Sequence, residues 1–429
     1  MDAFYASVEL LRYPELQGLP VVVGGGSQCA PREQVDPVTG ERRRVFRRLR
    51  EYAGRGVVTT ATYAARDLGV HSAMGMMKAA RLAPDAVMLP ADFDAYRTMS
   101  ARFKEAVRAI APCIEDRGID EIYIDLTEVV AARIEAPDDA WWCAREVAQQ
   151  IRAAVRAATG LSCSIGLAPN KLVAKVASEL DKPDGLTVVP PEDLEERLWP
   201  LPVRRLNGVG PKADARLAGL GIRTIGDLAA APIDRLRAAF GPQTAAWLAD
   251  AARGRDERPI VTRSEAKSIS RETTFERDLH AVRDRATLTP LMTSLCERVA
   301  ADLQRRGYRG RTIGIKLRFD DFRIVTRDRS IELATDDAAT IRRVAGSCLK
   351  LVDLSRRIRL LGVRVGGLQR AAPQREPDAL QGSSVVHDIA PQQSNKPLPT
   401  QQLGAFSESE TGFLQADAHL QREETKTRP

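Results

Sequence analysis

The chain has 429 residues, 44% of them apolar, which is enough for two to four domains with sizeable cores. Its formal charge of +7 favours an anionic partner, and no apolar run is long enough to span a membrane or reads as a signal peptide. Six scattered cysteines, with no CxxC and no close histidine, exclude a disulfide frame and a zinc site and point to free thiols in a reducing cytoplasm. The charge is uneven. Residues 267–367 carry 22 Lys and Arg against 13 Asp and Glu, a net of +9; residues 371–429 carry 5 against 8, a net of −3. A basic excess concentrated in this way suits nucleic acid.

In chain order, Leu19 to Gly26 is an apolar run closed by glycines and reads as a buried strand. Gln28 to Arg55 is polar and rich in arginine. Helices are expected over Thr62 to Leu68, Met74 to Leu82 and Ser100 to Ile110, the last with Phe103, Val107 and Ile110 on one face. Ile119 to Leu126 reads as a strand, Cys143 to Ala158 as an amphipathic helix stopped by Gly160, and Leu161 to Leu167 as a half-buried strand. Another helix starts near Asn170. This order suits an α+β domain, an antiparallel sheet backed by helices. Pro200 to Gly254 turns to short helices, and Arg255 to Ala266 reads as a linker. Lys267 to Gly366 mixes strands with two helices. From Gln369 the chain is rich in Pro, Gln and Ser and reads as disordered.

Four segments carry chemistry. In RGIDEIYIDL, Asp120 and Glu121 are adjacent acids on a strand edge, suited to Mg²⁺ but equally readable as solvated acids of a surface hairpin. In TTATYAARDLGV, Thr60 precedes a helix that carries Tyr63 and Arg66 on one face; together they form a phosphate clamp, or an ordinary helix with a solvated arginine. In APNKLVAKVAS, Lys171 lies in the first turn of a helix, as a phosphate contact or a surface lysine. In LNGVGPK, Gly208 and Gly210 lie between short helices, as a helix-hairpin-helix holding a DNA phosphate or a plain helical hairpin.

With MDAFYASVE, KPDG and KSISRETTF, these segments occur in the order of the Y-family (translesion) DNA polymerases, and the chain resembles their DNA polymerase IV branch over about residues 1–366. The resemblance implies a right-hand polymerase: a ferredoxin-like palm (1–26 and 75–195), small fingers (27–74), a helix-hairpin-helix thumb (196–256), a linker (257–266), an α/β little finger (267–367) and a disordered tail (368–429). It implies low-fidelity, monomeric, cytoplasmic extension of primer-template DNA with dNTPs and two Mg²⁺ ions. Asp120 and Glu121 match its catalytic and metal-binding acids, with the Met1 carbonyl as a further metal ligand. Tyr5 matches its steric gate against a ribose 2′-OH, and Thr60, Tyr63, Arg66 and Lys171 its triphosphate contacts. Gly208, Gly210, Lys212 and Arg271 are the expected DNA contacts. Gln402, Leu403 and Phe406 resemble the clamp-binding peptide of bacterial polymerases.

The sequence departs from this pattern twice. The family's first metal-binding aspartate would precede Met1, so the expectation is a start upstream of Met1, with the first palm strand truncated. Asp2 is an expected poor substitute, set two residues further along that strand. The fingers stretch is also long, and Arg42, Arg43, Arg44, Arg47, Arg48 and Arg50 read either as template-phosphate contacts or as a solvated basic helix. The missing aspartate keeps a non-catalytic DNA-binding adaptor as the alternative. A nucleotide cyclase fits less well, because it lacks use for the helix-hairpin-helix and the basic C-terminal domain.

Overall fold

The computed structural model describes residues 1–371 except Asp36, Val38, Thr39, Pro137 and Asp138. Gln402, Leu403 and Phe406 lie outside the described residues. The chain divides between Ser264 and Glu265 into two compact units. The α+β class expected from the sequence holds.

The first unit opens with helix α1 (Phe4–Arg12), which buries Phe4, Ala6, Val8 and Glu9. Strand β1 (Val21–Gly24) follows, fully buried. Strands β2 (Arg32–Val35) and β3 (Arg42–Val45) form an exposed antiparallel hairpin. The basic stretch is therefore not the helix that was one reading of it. Pro37 has no N–H to continue a helix, and Gly40 takes the left-handed φ of 68° between the strands. Strand β4 (Val58–Ala61) pairs antiparallel with β1. Helices α2 (Tyr63–Asp67) and α3 (Met76–Leu82) and strand β5 (Val87–Leu89) complete this part, giving the sheet order β4-β1-β5. Leu49, Tyr52, Met76 and Met88 fill its core.

Helix α4 (Phe93–Arg108) is capped by Asp92, which accepts from the Ala95 N–H at 3.0 Å. Strands β6 (Ile114–Asp116) and β7 (Ile122–Ile124) make a short hairpin, followed by α5 (Thr127–Ala131). Helix α6 (Ala140–Thr159) packs Val147, Ile151 and Val155 against Phe103 and Val107 of α4, and ends at Gly160, φ 73°. Strand β8 (Ile165–Leu167), helix α7 (Lys171–Ala177) and strand β9 (Leu186–Val188) follow, with β8 and β9 parallel. The single antiparallel sheet expected here is thus two separate pairs, β6–β7 and β8–β9. Met1 and Asp2 lie between them: the Met1 amine donates to the Asp120 carbonyl at 2.8 Å, and the Asp2 N–H to the Ser162 carbonyl at 3.2 Å. Both strands are also shorter than expected, because residues 119–121 turn and residues 161–164 run free of any ladder.

Five helices close the unit: α8 (Leu194–Leu198), α9 (Pro211–Gly219), α10 (Ile225–Ala230), α11 (Ile233–Phe240) and α12 (Pro242–Ala252). Leu198, Leu206, Leu217, Leu228, Leu236 and Leu248 form their shared core.

The second unit is one antiparallel sheet with two helices on one face. Its elements are β10 (Ser268–Leu279), α13 (Arg285–Arg305), β11 (Tyr308–Phe319), β12 (Ile324–Thr335), α14 (Ala338–Leu349) and β13 (Ile358–Arg370). The strand order is β10-β13-β11-β12. Gln369 and Arg370, expected in the tail, instead finish β13 against Arg309 and Tyr308.

Gly166 shows how tightly α7 lies on β8. A Cβ there would meet the Ala174 carbonyl at 2.1 Å and the Ser178 nitrogen at 2.4 Å, backbone atoms that cannot rotate away. Gly166→Ala is expected to destabilise the unit by about 3 kcal/mol, read as a lower urea midpoint. An unchanged midpoint would show that α7 can shift freely.

Candidate active site

Asp120 and Glu121 sit on the turn between β6 and β7, both half-buried. The Arg117 N–H donates to the Glu121 carbonyl at 3.1 Å and closes that turn. Among the described residues the Asp120 carboxylate has no ion-pair partner. Glu121 has one: its Oε2 lies 3.1 Å from Lys175 Nζ. Lys175 also meets Glu179 at 3.2 Å, and Glu179 meets Lys182 at 2.9 Å. Burial pulls the Lys175 ammonium down, but the two carboxylates outweigh it and hold it above the ordinary lysine range. An unbroken charge chain, Glu121–Lys175–Glu179–Lys182, therefore leads away from the acids.

Lys171 is not part of that chain. Successive residues of a strand face opposite ways, so Glu115, paired with Tyr123 in the ladder, shares a face with it. Lys171 reaches that face one helical turn before Lys175. It is 9% exposed, donates to Glu115 Oε2 at 2.8 Å and to the Pro259 carbonyl at 2.6 Å, and lies over the Tyr123 ring. Lys171 was expected as a triphosphate contact; in this structure its ammonium is held by partners on the Glu115 side. Lys175, Glu179 and Lys182 were missed in the sequence, although Lys175 recurs four residues after Lys171 and Lys182 opens KPDG.

Tyr63 and Arg66 come together as expected. The Arg66 guanidinium lies 4.9 Å from the Tyr63 ring centre, and its Nε donates to the Ala61 carbonyl at 3.1 Å. Among the described residues the buried Tyr63 hydroxyl has no hydrogen-bond partner. Burial first, then the negative charge of Asp2, push this phenol up to about 12, against the pull of Arg66. It stays protonated as a donor without an acceptor, which suits an anionic ligand. Thr60 is nearby in sequence but nearly buried on β4. Tyr5 is half-buried on α1, its ring stacked on Tyr96 at 4.3 Å.

The expected DNA contacts divide. Gly208 and Gly210 are exposed in the loop before α9, and Lys212 is exposed in its first turn. Gly208 has a φ of 116° and lies against Trp247, where a Cβ would meet the indole at 2.7 Å. Arg271 does not face outward. Alternation along β10 puts it on the side of the buried Ile269 and Phe275, and its Nε is 2.6 Å from the buried Asp302.

Comparison with known proteins agrees with this layout. Residues 1–179 match the impB/mucB/samB family, residues 266–378 the C-terminal domain of that family, and residues 204–256 the DNA polymerase-iota thumb domain. A DNA polymerase IV of Alkalilimnicola ehrlichii is 40% identical over 87% of this chain and 95% of its own length. One of Halorhodospira halophila is 40% identical over 88% and 96%. The chain belongs to the Y-family of DNA polymerases, in the DNA polymerase IV branch. Among solved structures, a Y-family DNA polymerase chimera matches with a TM-score of 0.71 at 25% identity, over 85% of this chain and 96% of that one.

The donor set of this Y-family chain fits a hard divalent cation in part. Asp120 and Glu121 offer adjacent carboxylate oxygens, and Asp120 is uncommitted. Asp2, one of two acids whose charge acts on the Tyr63 phenol, is not available. It is 2% exposed and accepts from Ser162 Oγ at 2.9 Å, Ser164 Oγ at 2.7 Å and the Asp184 N–H at 2.9 Å. Among the described residues no cluster of three or more His, Cys, Asp or Glu could hold a metal.

The Glu115–Lys171 pair makes a prediction about acid stability. Burial pulls the Glu115 carboxyl up, but Lys171, the Val261 N–H and Arg117 outweigh it and leave it below its ordinary 4.5. A depressed carboxyl contributes stability above 4.5 that is lost as pH falls through its folded value. Lys171→Met strands the buried carboxylate. It is expected to cost about 3 kcal/mol at neutral pH and to shrink the loss of stability on the acid side. Thermal melts of both proteins from pH 3 to 7 test this; parallel curves would mean that the pair carries no stability.

Proposed function

We propose that this chain is a template-directed DNA polymerase that adds dNTPs to a primer 3′ end and continues across damaged template bases. The observation that carries the reading is the turn holding Asp120 and Glu121, joined by Lys175 to Glu179 and Lys182, with Glu179 close enough for its charge to act on the unpartnered Tyr63 hydroxyl. Asp120 and Glu121, with the Met1 carbonyl, would hold two Mg²⁺ ions, which when bound supply charge neutralisation at the attacking and leaving oxygens. Tyr63 donates to the triphosphate, Arg66 adds a guanidinium, and Thr60 lies at the edge of that cradle. Lys175 and Lys182 take the place expected of Lys171. Tyr5 blocks a ribose 2′-OH.

DNA would be held by its backbone, without reading sequence. Gly208, Gly210 and Lys212 offer a loop and the N-terminus of α9 to one phosphate. On the second unit, Ile313, Ile315 and Leu317 are buried towards the helices, so Lys316, Arg318 and Arg364 belong to the other face of the sheet. Asp328 lies over Gly314 and Glu272 over Gly362, and Glu272 pairs with Lys316 at 2.8 Å, an ion pair that a phosphate would have to displace. The enzyme works as a monomer in the cytoplasm, where its six free thiols stay reduced, and Gln402, Leu403 and Phe406 tether it to the sliding clamp.

The non-catalytic adaptor remains the second reading, favoured by the lack of a three-acid cluster among the described residues. Primer extension in Mg²⁺ separates the two. Asp120→Ala and Glu121→Ala are each expected to reduce incorporation to background while DNA affinity stays near parental. Near-parental turnover in either variant would move the site elsewhere, and no extension by the parent would favour the adaptor. Lys175→Ala and Lys182→Ala are expected to raise the dNTP KM, whereas Lys171→Met, in its folded fraction, leaves it in place.

A further inference from the structure

Glu9 is a buried carboxyl that the proposed chemistry does not use. It lies one helical turn after Tyr5 on α1 and is 2% exposed. The hydroxyl of Tyr96, a fully buried residue of α4, donates to Glu9 Oε1 at 2.6 Å. The Tyr96 ring lies flat on Tyr5, with centres 4.3 Å apart and planes 18° apart. Phe93 meets both rings edge-on, at 5.9 Å from Tyr5 and 5.7 Å from Tyr96. Behind the carboxylate, Arg12 lies 3.7 Å from Glu9 Oε2 and 2.6 Å from Asp92, the cap of α4. α1 and α4 are thus joined by a hydrogen bond and an ion pair beside the Tyr5–Tyr96 stack.

Packing alone does not require an acid here. A leucine would fill the volume without the penalty of burying a carboxylate, and burial does push the Glu9 carboxyl up. What a leucine lacks is direction. Two stacked rings slide over one another at little energetic expense, whereas a short hydrogen bond fixes one ring along its long axis. We propose that Glu9 is a positioning residue for sugar selection: through the Tyr96 hydroxyl it fixes the ring that backs Tyr5, and so sets how far Tyr5 stands from the 2′ carbon of an incoming nucleotide. The proposal rests on Tyr5 being the sugar gate.

The measurement is the ratio of kcat/KM for rNTP to that for dNTP. A packing defect slows both nucleotides by one factor and leaves the ratio alone; a displaced gate changes it. Glu9→Leu is expected to raise the ratio by about tenfold, the size of one lost buried hydrogen bond. Glu9→Gln, which keeps an acceptor for the Tyr96 hydroxyl, is expected to restore most of the discrimination. Tyr96→Phe removes only the hydroxyl and should behave like Glu9→Leu; it decides the matter if Glu9→Leu does not fold. Tyr5→Ala is the control. If Tyr5→Ala admits rNTPs while folded Glu9→Leu and Tyr96→Phe keep the parental ratio, the role of Glu9 is overturned and the gate stands. If Tyr5→Ala leaves the ratio unchanged, the gate itself is wrong, and the proposal falls with it.

Discussion

The site is assembled around the buried carboxylate of Asp2. A carboxylate with so little exposure is tolerated only when its oxygens are bonded, and here three donors come from two later segments: Ser162 and Ser164 before β8, and the Asp184 N–H in the KPDG loop. Asp184 is in turn held by Arg152 and Arg156 of α6. One side chain therefore ties the start of α1 to β8, to the loop that begins with Lys182 and to the long helix behind. Tyr5, Glu9 and the Met1 amine on Asp120 inherit their positions from that anchorage. The same commitment removes Asp2 from the metal-binding donors, and its negative charge helps to keep the Tyr63 phenol protonated.

Much of the fold was legible in the sequence because periodicity and punctuation agreed. Val147, Ile151 and Val155 recur at helical spacing and Gly160 ends the helix, and α6 forms there as expected. The paired acids, the Tyr63–Arg66 face and the Gly208 loop were legible as segments, since each is local. Of the two readings of the basic stretch, the helical one failed because arginine count carries no conformational information, whereas Pro37 and Gly40 do. The palm sheet was over-extended for a different reason. Apolar alternation marks a residue as half-buried in an extended segment, but not whether a partner strand lies beside it. Ser162 and Ser164 bond Asp2 instead, and no ladder forms along residues 161–164.

The two lysines of α7 mark the limit of reading chemistry from a helix alone. Lys171 and Lys175 share a face, both are basic, and nothing local ranks them. Their roles diverge through the register of a hairpin more than fifty residues earlier, which sets Glu115 opposite one and Glu121 opposite the other. In the buried position the cation is consumed in neutralising a carboxylate. One turn on, where exposure is greater, it is shared between two carboxylates and can exchange partners. Arg271 repeats the lesson in the second unit. A basic residue on a strand of a basic domain suggests a phosphate, yet the two-residue period of the strand sends it inward to Asp302.

The same reasoning explains why the buried acids fall into two kinds. Glu115 and Asp302 each face cations and are satisfied as ion pairs, so removing the cation is the damaging change. Glu9 is held chiefly by a neutral hydroxyl, with Arg12 at the longer distance of 3.7 Å. An ion pair tolerates some slide between its partners, because Coulomb attraction varies slowly with distance and angle. A short hydrogen bond to a phenol does not, because its energy falls steeply once the donor angle opens. Where two elements need only be kept together, a charge pair suffices. Where an aromatic ring must be kept in one place, as Tyr96 is behind Tyr5, the directional bond is the better device, and that is the kind found beneath the proposed sugar gate.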